Sequence, residues 1–266
     1  MVMYSHSKLS SFEQCPMKFK FQYIDRLKPE IEYTIEGFLG NMVHETLEWI
    51  HKQIIKGISI DLDSAIEYYA RLWHSKYNKD IRIVKEEYDS EYYFNRGIKF
   101  IINYFTSNYP FSDNSIATEK RIIIRLDSQG KYILQGYIDR IVHNLDTNIF
   151  EIHDYKTGSF LKSQEELDND RQLALYSIGI RENFSQAQDV HLVWHFLAHN
   201  QKMTSKRTIE QLDSLKQEII DLIDKIESTK EFPAKSGVLC KWCGFRSYCP
   251  LMSRSGSKEK PLDSFI

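Results

Sequence analysis

Residues 136–158 have the sequence GYIDRIVHNLDTNIFEIHDYKTG, and this stretch decides the fold. Apolar and polar residues alternate on both sides of residues 144–148, which predicts two β-strands joined by a short turn. Asp139 lies in the first strand, and Asp154 follows it by 15 residues in the second. Because side chains alternate between the faces of a strand, Asp154 and Lys156 are expected on one face. Two carboxylates and an ammonium group converging on a sheet can hold a divalent metal ion and a polarised water, so we predict a phosphodiesterase centre.

The bulk composition is that of an ordinary globular protein, with 266 residues of which 42% are hydrophobic and 27% charged. No apolar run approaches the roughly 18 residues of a membrane span, so no contact with a membrane is predicted. Residues 1–10 lack the apolar core of a signal peptide, and the expected location is the cytoplasm. Because the net charge is −2, any binding of nucleic acid has to depend on local basic patches.

Hydrophobic periodicity outside the central stretch predicts helices and strands in separate blocks. Helices are expected at residues 5–27, 38–56, 64–79, 90–108, 165–182 and 208–229, and strands at 118–126, 132–142, 149–156 and 190–197. The order is helices, three strands, helix, strand, helix. This order predicts an α/β fold in which helices flank a mixed central sheet.

Four residues outside the stretch 136–158 accompany the central motif, and His153 within it needs separate mention. His44 follows Gly40 in a G-x-x-x-H setting on the second predicted helix, where a lone histidine is usually structural. Gln172 and Tyr176 are one turn apart on the helix after Asp154, so they share a face. Glu119 opens the strand before Asp139. His153 is expected on the strand face opposite Asp154, where it would pack rather than bind a metal.

The set resembles the PD-(D/E)XK nuclease superfamily, and in particular its RecB-like branch with the CRISPR-associated RecB-like exonucleases. The resemblance runs from about Lys8 to Pro250. It implies a restriction-endonuclease-like core with an N-terminal helical layer and a C-terminal cysteine knuckle. It also implies one nuclease domain over residues 1–252, with a helical insertion at about 57–110, cluster-binding ends at 1–27 and 233–252, and a flexible tail at 253–266.

The resemblance assigns a role to each residue of the motif. Asp139 and Asp154 would bind Mg²⁺ or Mn²⁺ together with the backbone carbonyl of Tyr155. Lys156 would orient or deprotonate the attacking water and offset charge on the phosphate. The remaining assignments are His44 as an imidazole ligand, Gln172 and Tyr176 as supports for Lys156 and a phosphate, and Glu119 as a further carboxylate ligand.

The four cysteines are Cys15, Cys240, Cys243 and Cys249, and three of them are clustered. Because disulfides are disfavoured in the cytosol, the clustering favours metal or cluster binding. One N-terminal cysteine with a C-terminal triplet at this spacing resembles the iron–sulfur variant of the RecB-like nucleases. A 4Fe-4S cluster needs four thiolates, but structural zinc accepts four as well, and zinc stays the alternative. Either site would tie the first helix to the C-terminal segment.

The last residues form a second, weaker motif. Leu262, Phe265 and Ile266 end a polar tail and resemble the sliding-clamp-binding peptides of replication and repair enzymes. The tail departs from that pattern at Glu259, where glutamine is usual, and at Ile266, where a second aromatic residue is usual. The alternative is a tail that packs on its own domain or stays disordered.

The sequence thus predicts a metal-dependent DNA nuclease that acts on single strands or free ends, in DNA repair, recombination or CRISPR adaptation. No G-x-x-x-x-G-K-S/T phosphate loop occurs, so a helicase motor would have to come from a partner, and a CRISPR integrase is another candidate partner. One competing hypothesis is a nucleic-acid-binding subunit with a vestigial nuclease site. A weaker one is a zinc-knuckle interaction protein.

Overall fold

The computed structural model describes residues 3–30, 34–85 and 87–253. Contacts divide the chain into two compact units. The first unit comprises Met1–Met3 and Tyr33–Ile220, and the second comprises Tyr4–Glu32 and Asp221–Ile266. The prediction that residues 1–252 form one domain stays a prediction.

The helices and strands follow one another in the predicted blocks. The helices are α1 (His6–Gln14), α2 (Pro16–Phe19), α3 (Ile35–Ile55), α4 (Leu62–Lys76), α5 (Ser90–Asn108), α6 (Gln164–Asp168), α7 (Arg171–Asn183), α8 (Ile209–Ser228) and α9 (Pro250–Ser253). The strands are β1 (Ser115–Arg125), β2 (Ile133–Asn144), β3 (Ile149–Lys156), β4 (Asp189–Phe196) and β5 (Gln201–Ser205). A π-helical segment spans Lys20–Ile24, and a 3₁₀ helix spans Val238–Trp242.

The described strands form one mixed sheet in the order β1-β2-β3-β4-β5. All neighbouring pairs are antiparallel except β3 and β4, which are parallel. The parallel pair requires a crossover, and α6 and α7 supply it, as is usual for βαβ units. This arrangement confirms the predicted α/β class with a mixed central sheet.

The central hairpin forms as the sequence predicts. Register pairs run from Arg140 opposite His153 to Asn144 opposite Ile149. The side chain of Asn144 accepts hydrogen bonds from the backbone N–H groups of Asp146 and Thr147, at 3.0 and 3.1 Å, which closes the turn. The hairpin therefore brings the end of β3 against the middle of β2.

Helices α3, α4 and α5 pack together in a helical layer. Each begins at a polar cap: Thr34, Asp61 and Asp89 accept a backbone N–H through their side chains. An apolar stripe of α3 is buried at Val43, Leu47 and Ile50, each 0% exposed. Burial of one such side chain contributes about 1.5–3 kcal/mol, so this layer holds α3 firmly in place.

Two elements differ from the sequence prediction. The single helix expected at residues 165–182 is two helices, because the chain breaks at Asn169 and Asp170 caps α7 by accepting the N–H of Gln172. Strand β5 was not predicted. It has five residues, four of them at least partly exposed, and so it lacks a readable apolar alternation.

The second unit is built around aromatic side chains. Phe12 of α1 contacts Phe19 of α2 edge to face, and Phe19 stacks on Phe232 with an interplanar angle of 9°. The predicted helix at residues 5–27 is interrupted at Cys15, which is extended and precedes Pro16 at the start of α2. The interruption places Cys15 outside a regular helix, in a segment that faces other cysteines.

Candidate active site

Lys156 joins Asp154, on its own strand β3, to helix α7. Its Nζ lies 3.1 Å from Oδ1 of Asp154 and 2.8 Å from Oδ2, and it donates to Oε1 of Gln172 at 3.4 Å. The carboxylate of Asp139 is held by the backbone of β3, because the N–H of Tyr155 donates to its Oδ2 at 2.9 Å. The hairpin thus brings Asp139, Asp154 and Lys156 together at the end of β3.

Helix α7 covers this group through Tyr176. The ring is 7% exposed, and its hydroxyl is hydrogen-bonded to Gln172. A Cβ atom at Gly136 of β2 would lie 2.2 Å from Cε1 of that ring. Glycine is therefore required at position 136, because the tyrosine occupies the space where a side chain would begin.

Helix α3 supplies an imidazole to the same place. His44 donates through Nε2 to the carbonyl oxygen of Tyr155 at 2.8 Å. Its other ring nitrogen, Nδ1, lies 3.4 Å from Oδ2 of Asp139. A residue that is 111 positions away in the chain thus reaches both the backbone and a carboxylate of the central motif.

Glu119 belongs to the same cluster and has a strained backbone. In β1 it lies between Thr118 and Lys120, which pair with Arg140 and Ile138, so it stands across from Asp139. Its φ is 45°, in the left-handed region that residues other than glycine rarely adopt. Ligand atoms of His44, Glu119 and Asp139 all lie within 4.8 Å of one another. Such backbone strain is typical of functional sites.

The carboxylates of this cluster are too close together to be charged independently. Burial, opposed in part by His44 and reinforced by the charge of Asp154, raises the pKa of Asp139 to about 7. Burial also raises the pKa of Glu119 above its usual range. Burial alone would lower the pKa of Lys156, but Asp154 and Asp139 outweigh it and hold that pKa above its usual value. The lysine is therefore an ammonium ion.

This donor set fits a divalent cation of the Mg²⁺ or Mn²⁺ type. Carboxylate and carbonyl oxygens with one imidazole are ligands that such ions accept. Oδ2 of Asp154 is buried, and although the Lys156 ammonium lies 2.8 Å away it receives no hydrogen bond of suitable geometry from the described residues, so it keeps a lone pair for an ion. A bound cation would also lower the raised pKa values of Asp139 and Glu119.

Asp170 supports the site and was missed by the sequence prediction. Its Oδ1 caps α7 at Gln172, and its Oδ2 accepts from Lys162 at 2.6 Å. Arg207 fixes the same corner by donating to the carbonyl oxygens of Leu167 and Asp170. A helix-capping aspartate two residues before Gln172 was the sequence signal for it.

Beneath the site, polar side chains are buried between the sheet and the helical layer. The hydroxyl of Tyr155 lies 3.0 Å from that of Tyr104, which lies 2.7 Å from Nε2 of His51 on α3. Arg140, 1% exposed, donates to Ser115 and to Nδ1 of His153. His153 therefore carries its proton on Nε2 and donates it to Glu151. His153 is a packing residue on the face opposite Asp154, as predicted.

The four cysteines line one cavity of about 570 Å³ in the second unit. The backbone N–H of Lys235 donates to Sγ of Cys15 at 3.4 Å. In the part of the chain that the structure describes, no three thiol sulfurs lie within 4.8 Å of one another. A single zinc ion with Zn–S bonds of about 2.3 Å would require sulfurs no more than about 4.6 Å apart.

Comparison with known proteins identifies the family. The sequence profile of the PD-(D/E)XK nuclease superfamily matches residues 3–250, nearly the whole chain. The chain belongs to the PD-(D/E)XK nuclease superfamily. Nucleases of this superfamily use divalent metal ions and bind DNA, and an acidic site that could hold such an ion is present here. The predicted restriction-endonuclease-like fold is confirmed.

Solved structures add the following likenesses. A crystal structure of a candidate exonuclease from Eubacterium rectale has a TM-score of 0.54 at 11% identity, covering 98% of this chain and 91% of that chain. At this identity the likeness shows the fold alone. The structure of SSO0001 has a TM-score of 0.39 at 15% identity, covering 92% of this chain and 95% of that one, which is too weak to carry an argument.

Two other predictions concern a membrane span and the C-terminal tail rather than the site. No helix within residues 3–30, 34–85 and 87–253 is long and apolar enough to cross a membrane. Leu262, Phe265 and Ile266 lie outside the described residues, so the clamp-binding peptide stays a prediction.

Proposed function

We propose that this nuclease is a Mg²⁺- or Mn²⁺-dependent deoxyribonuclease of the RecB-like branch, acting on single strands or free ends. One observation carries the proposal: Lys156 is held between Asp154 and Gln172 at the place where Asp139 and His44 converge. Two acidic groups beside a charged lysine suit phosphodiester hydrolysis.

The proposed roles follow from these contacts. Asp139, Asp154, Glu119, His44 and the carbonyl of Tyr155 would hold the cation. When bound, that ion would polarise the scissile phosphate and lower the pKa of an attacking water. The Lys156 ammonium would orient that water and offset negative charge as it develops on the phosphate.

Gln172 and Tyr176 support the lysine. Gln172 accepts from Lys156 and holds Tyr176, and Asp170 fixes the start of the helix that carries both. Loss of either side chain would loosen the ammonium group rather than remove it. Both are therefore proposed as positioning residues.

An iron–sulfur cluster in the second unit is the other part of the proposal. The shared cavity of the four cysteines and the N–H of Lys235 directed at Cys15 support a bound group, and four thiolates are what a 4Fe-4S cluster needs. Its role would be structural. By resemblance, the enzyme would serve DNA repair, recombination or CRISPR adaptation, with a helicase or an integrase as partner.

Cleavage of end-labelled single- and double-stranded DNA, with Mn²⁺, Mg²⁺ or EDTA, tests the proposal. We expect metal-dependent cleavage that Asp154→Ala reduces by more than the roughly 100-fold that loss of an outer-shell group can cost. Asp146→Ala, an exposed carboxylate in the turn of the same hairpin, is the matched control and should cleave normally. Cleavage by Asp154→Ala at the rate of the unsubstituted protein would refute the assignment.

A further inference from the structure

An exposed aromatic side chain lies beside the candidate metal site. Tyr137 is 54% exposed although it stands within β2, between the buried residues Gly136 and Ile138. It precedes Asp139 by two positions. Residues two apart in a strand have Cα atoms about 7 Å apart, so the Cα of Tyr137 lies about 7 Å from that of Asp139 in the acidic cluster.

Arg121 stands across from Tyr137 on the neighbouring strand. The two residues are register partners in β1 and β2. Nη2 of Arg121 donates to Oε1 of Gln135 at 2.8 Å, a diagonal contact that places Arg121 on the exposed face that Gln135 and Tyr137 share. Arg121 follows Glu119 by two positions, so both residues of the pair adjoin the metal cluster.

The two side chains complement one unpaired nucleotide. A guanidinium has five N–H donors, and the contacts of Nη2 with Gln135 and, at 3.7 Å, with Sδ of Met3 use at most two of them, which leaves donors for a phosphate. An exposed phenol ring is a stacking platform for a base, and bases can stack on a side chain when they are not paired in a duplex. The neighbouring Lys120 is exposed and adds a second positive charge on this edge.

We propose that Arg121 and Tyr137 form a subsite for an unpaired nucleotide of the DNA strand, next to the metal cluster. Arg121 binds its phosphate, and Tyr137 stacks on its base. The subsite rests on the proposed nuclease function and names the residues that would select its substrate, single-stranded DNA or the unpaired end of a duplex. A single exposed tyrosine is common on protein surfaces. The register with Arg121 and the distance to Asp139 are what distinguish Tyr137.

Binding of fluorescein-labelled DNA to the full chain tests the subsite, with Ca²⁺ replacing the catalytic ion and anisotropy as the readout. One probe is a short single strand, and the other is its blunt duplex. The variants are Tyr137→Ala, Tyr137→Phe and Arg121→Gln. The controls are Tyr109→Ala and Arg71→Gln. Tyr109 is 61% exposed, and the side chain of Arg71 is 70% exposed.

Tyr137→Ala should raise the Kd for the single strand by about 5- to 100-fold, the range for loss of one base stack, with less change for the duplex. Tyr137→Phe keeps the ring and should restore the affinity. Arg121→Gln should weaken binding and reduce the slope of log K against log salt by about 0.7. The two controls should bind as the unsubstituted protein does.

Two outcomes would overturn the subsite while leaving the nuclease proposal intact. One is DNA cleavage by the unsubstituted protein with an unchanged Kd in Tyr137→Ala. The other is a loss of affinity that is equal for the single strand and the duplex, or that persists in Tyr137→Phe. Either result would indicate that Tyr137 acts in folding rather than in base stacking. Absence of both binding and cleavage in the unsubstituted protein would overturn the proposed function together with the subsite.

Discussion

The ring of Tyr176 fills the space next to the backbone of Gly136, and this contact links a strand to the helix that carries Gln172. Gln172 in turn contacts Lys156. A single missing side chain thus decides how closely α7 approaches the acidic residues. The packing of α7 on β2 and the position of Gln172 beside Lys156 therefore both depend on the absence of a Cβ atom at position 136.

Gly136→Ala should destabilise the protein by about 1–3 kcal/mol, because a methyl group 2.2 Å from Cε1 of Tyr176 overpacks a buried position. Displacement of Tyr176 should also lower the rate of cleavage. Urea unfolding and the DNA digest measure the two effects. Gly158→Ala is the matched control, since a Cβ there meets nothing within 4 Å. Equal stability of the two variants would refute the packing argument.

Sequence was a good guide to single residues where the information is local. The two-residue spacing of Asp154 and Lys156 predicts a shared face, and their side chains do meet. The hydrogen bond between His44 and Tyr155 could be suggested only by resemblance, because it joins residues 111 positions apart. The left-handed φ of Glu119 has no sequence signal, since glutamate does not favour that conformation.

At the scale of elements, α3 reaches β3 through two of its residues. His44 donates to the carbonyl of Tyr155, and His51, seven residues further on, contacts the hydroxyl of Tyr104 and through it that of Tyr155. Burial, followed by the charge of Arg140, lowers the pKa of His51 to about 3. Its Nδ1 is buried and has no hydrogen-bond partner among the described residues, which also disfavours the charged form.

His51 should therefore make the stability of the metal-free protein depend on pH. The unfolded chain binds a proton near pH 6.5 and the folded chain does not, so the unfolding free energy should fall as pH drops below 6.5. The slope contributed is up to about 1.4 kcal/mol per pH unit. Asp139, whose raised pKa of about 7 has the opposite effect in the metal-free protein, titrates in the same window. Urea unfolding with EDTA between pH 7.5 and about 5 therefore has to compare the unsubstituted protein with His51→Gln, in which the contribution of Asp139 is unchanged. His51→Gln should be less stable at pH 7 but show a flatter profile, and equal slopes would contradict the assignment.

Periodicity predicted the longer elements and failed at two short ones. The alternation in β1 to β4 was long enough to recognise, whereas β5 has five mostly exposed residues. The break between α6 and α7 was hidden because Leu167 and Leu173 continue a helical apolar pattern across it. Asp170 and Arg207 decide that break through capping and carbonyl contacts, which hydrophobicity does not encode.

At the scale of the whole molecule, the sequence connects the two segments of the second unit through its cysteines. Cys15 comes from the N-terminal segment, and Cys240, Cys243 and Cys249 come from the C-terminal one, yet all line one cavity. A cluster bound there would close a long loop of chain. Because the unfolded chain lacks a preformed site, binding of the cluster would contribute directly to folding.

Cys240→Ser should therefore lower the iron content and the stability more than the chemistry of cleavage. Protein purified without oxygen should contain about four irons per chain, and zinc in their place would refute the cluster. The variant should lose iron and show a Tm lower by about 5–10 °C or more. Ser247→Ala, an exposed residue of the same segment, is the control and should keep its iron. Loss of iron without any change in Tm would contradict a structural role.

Strand β1 lies at one edge of the described sheet, and its middle residues are unsuited to pairing with a further strand. An open edge presents unpaired N–H and C=O groups and can recruit strands from other molecules. Here the left-handed Glu119 interrupts the extended backbone, and the exposed cations Lys120 and Arg121 follow it. Irregular backbone and charge are usual defences against aggregation at such edges. The features that we propose for DNA binding would thus also keep copies of the enzyme from joining edge to edge.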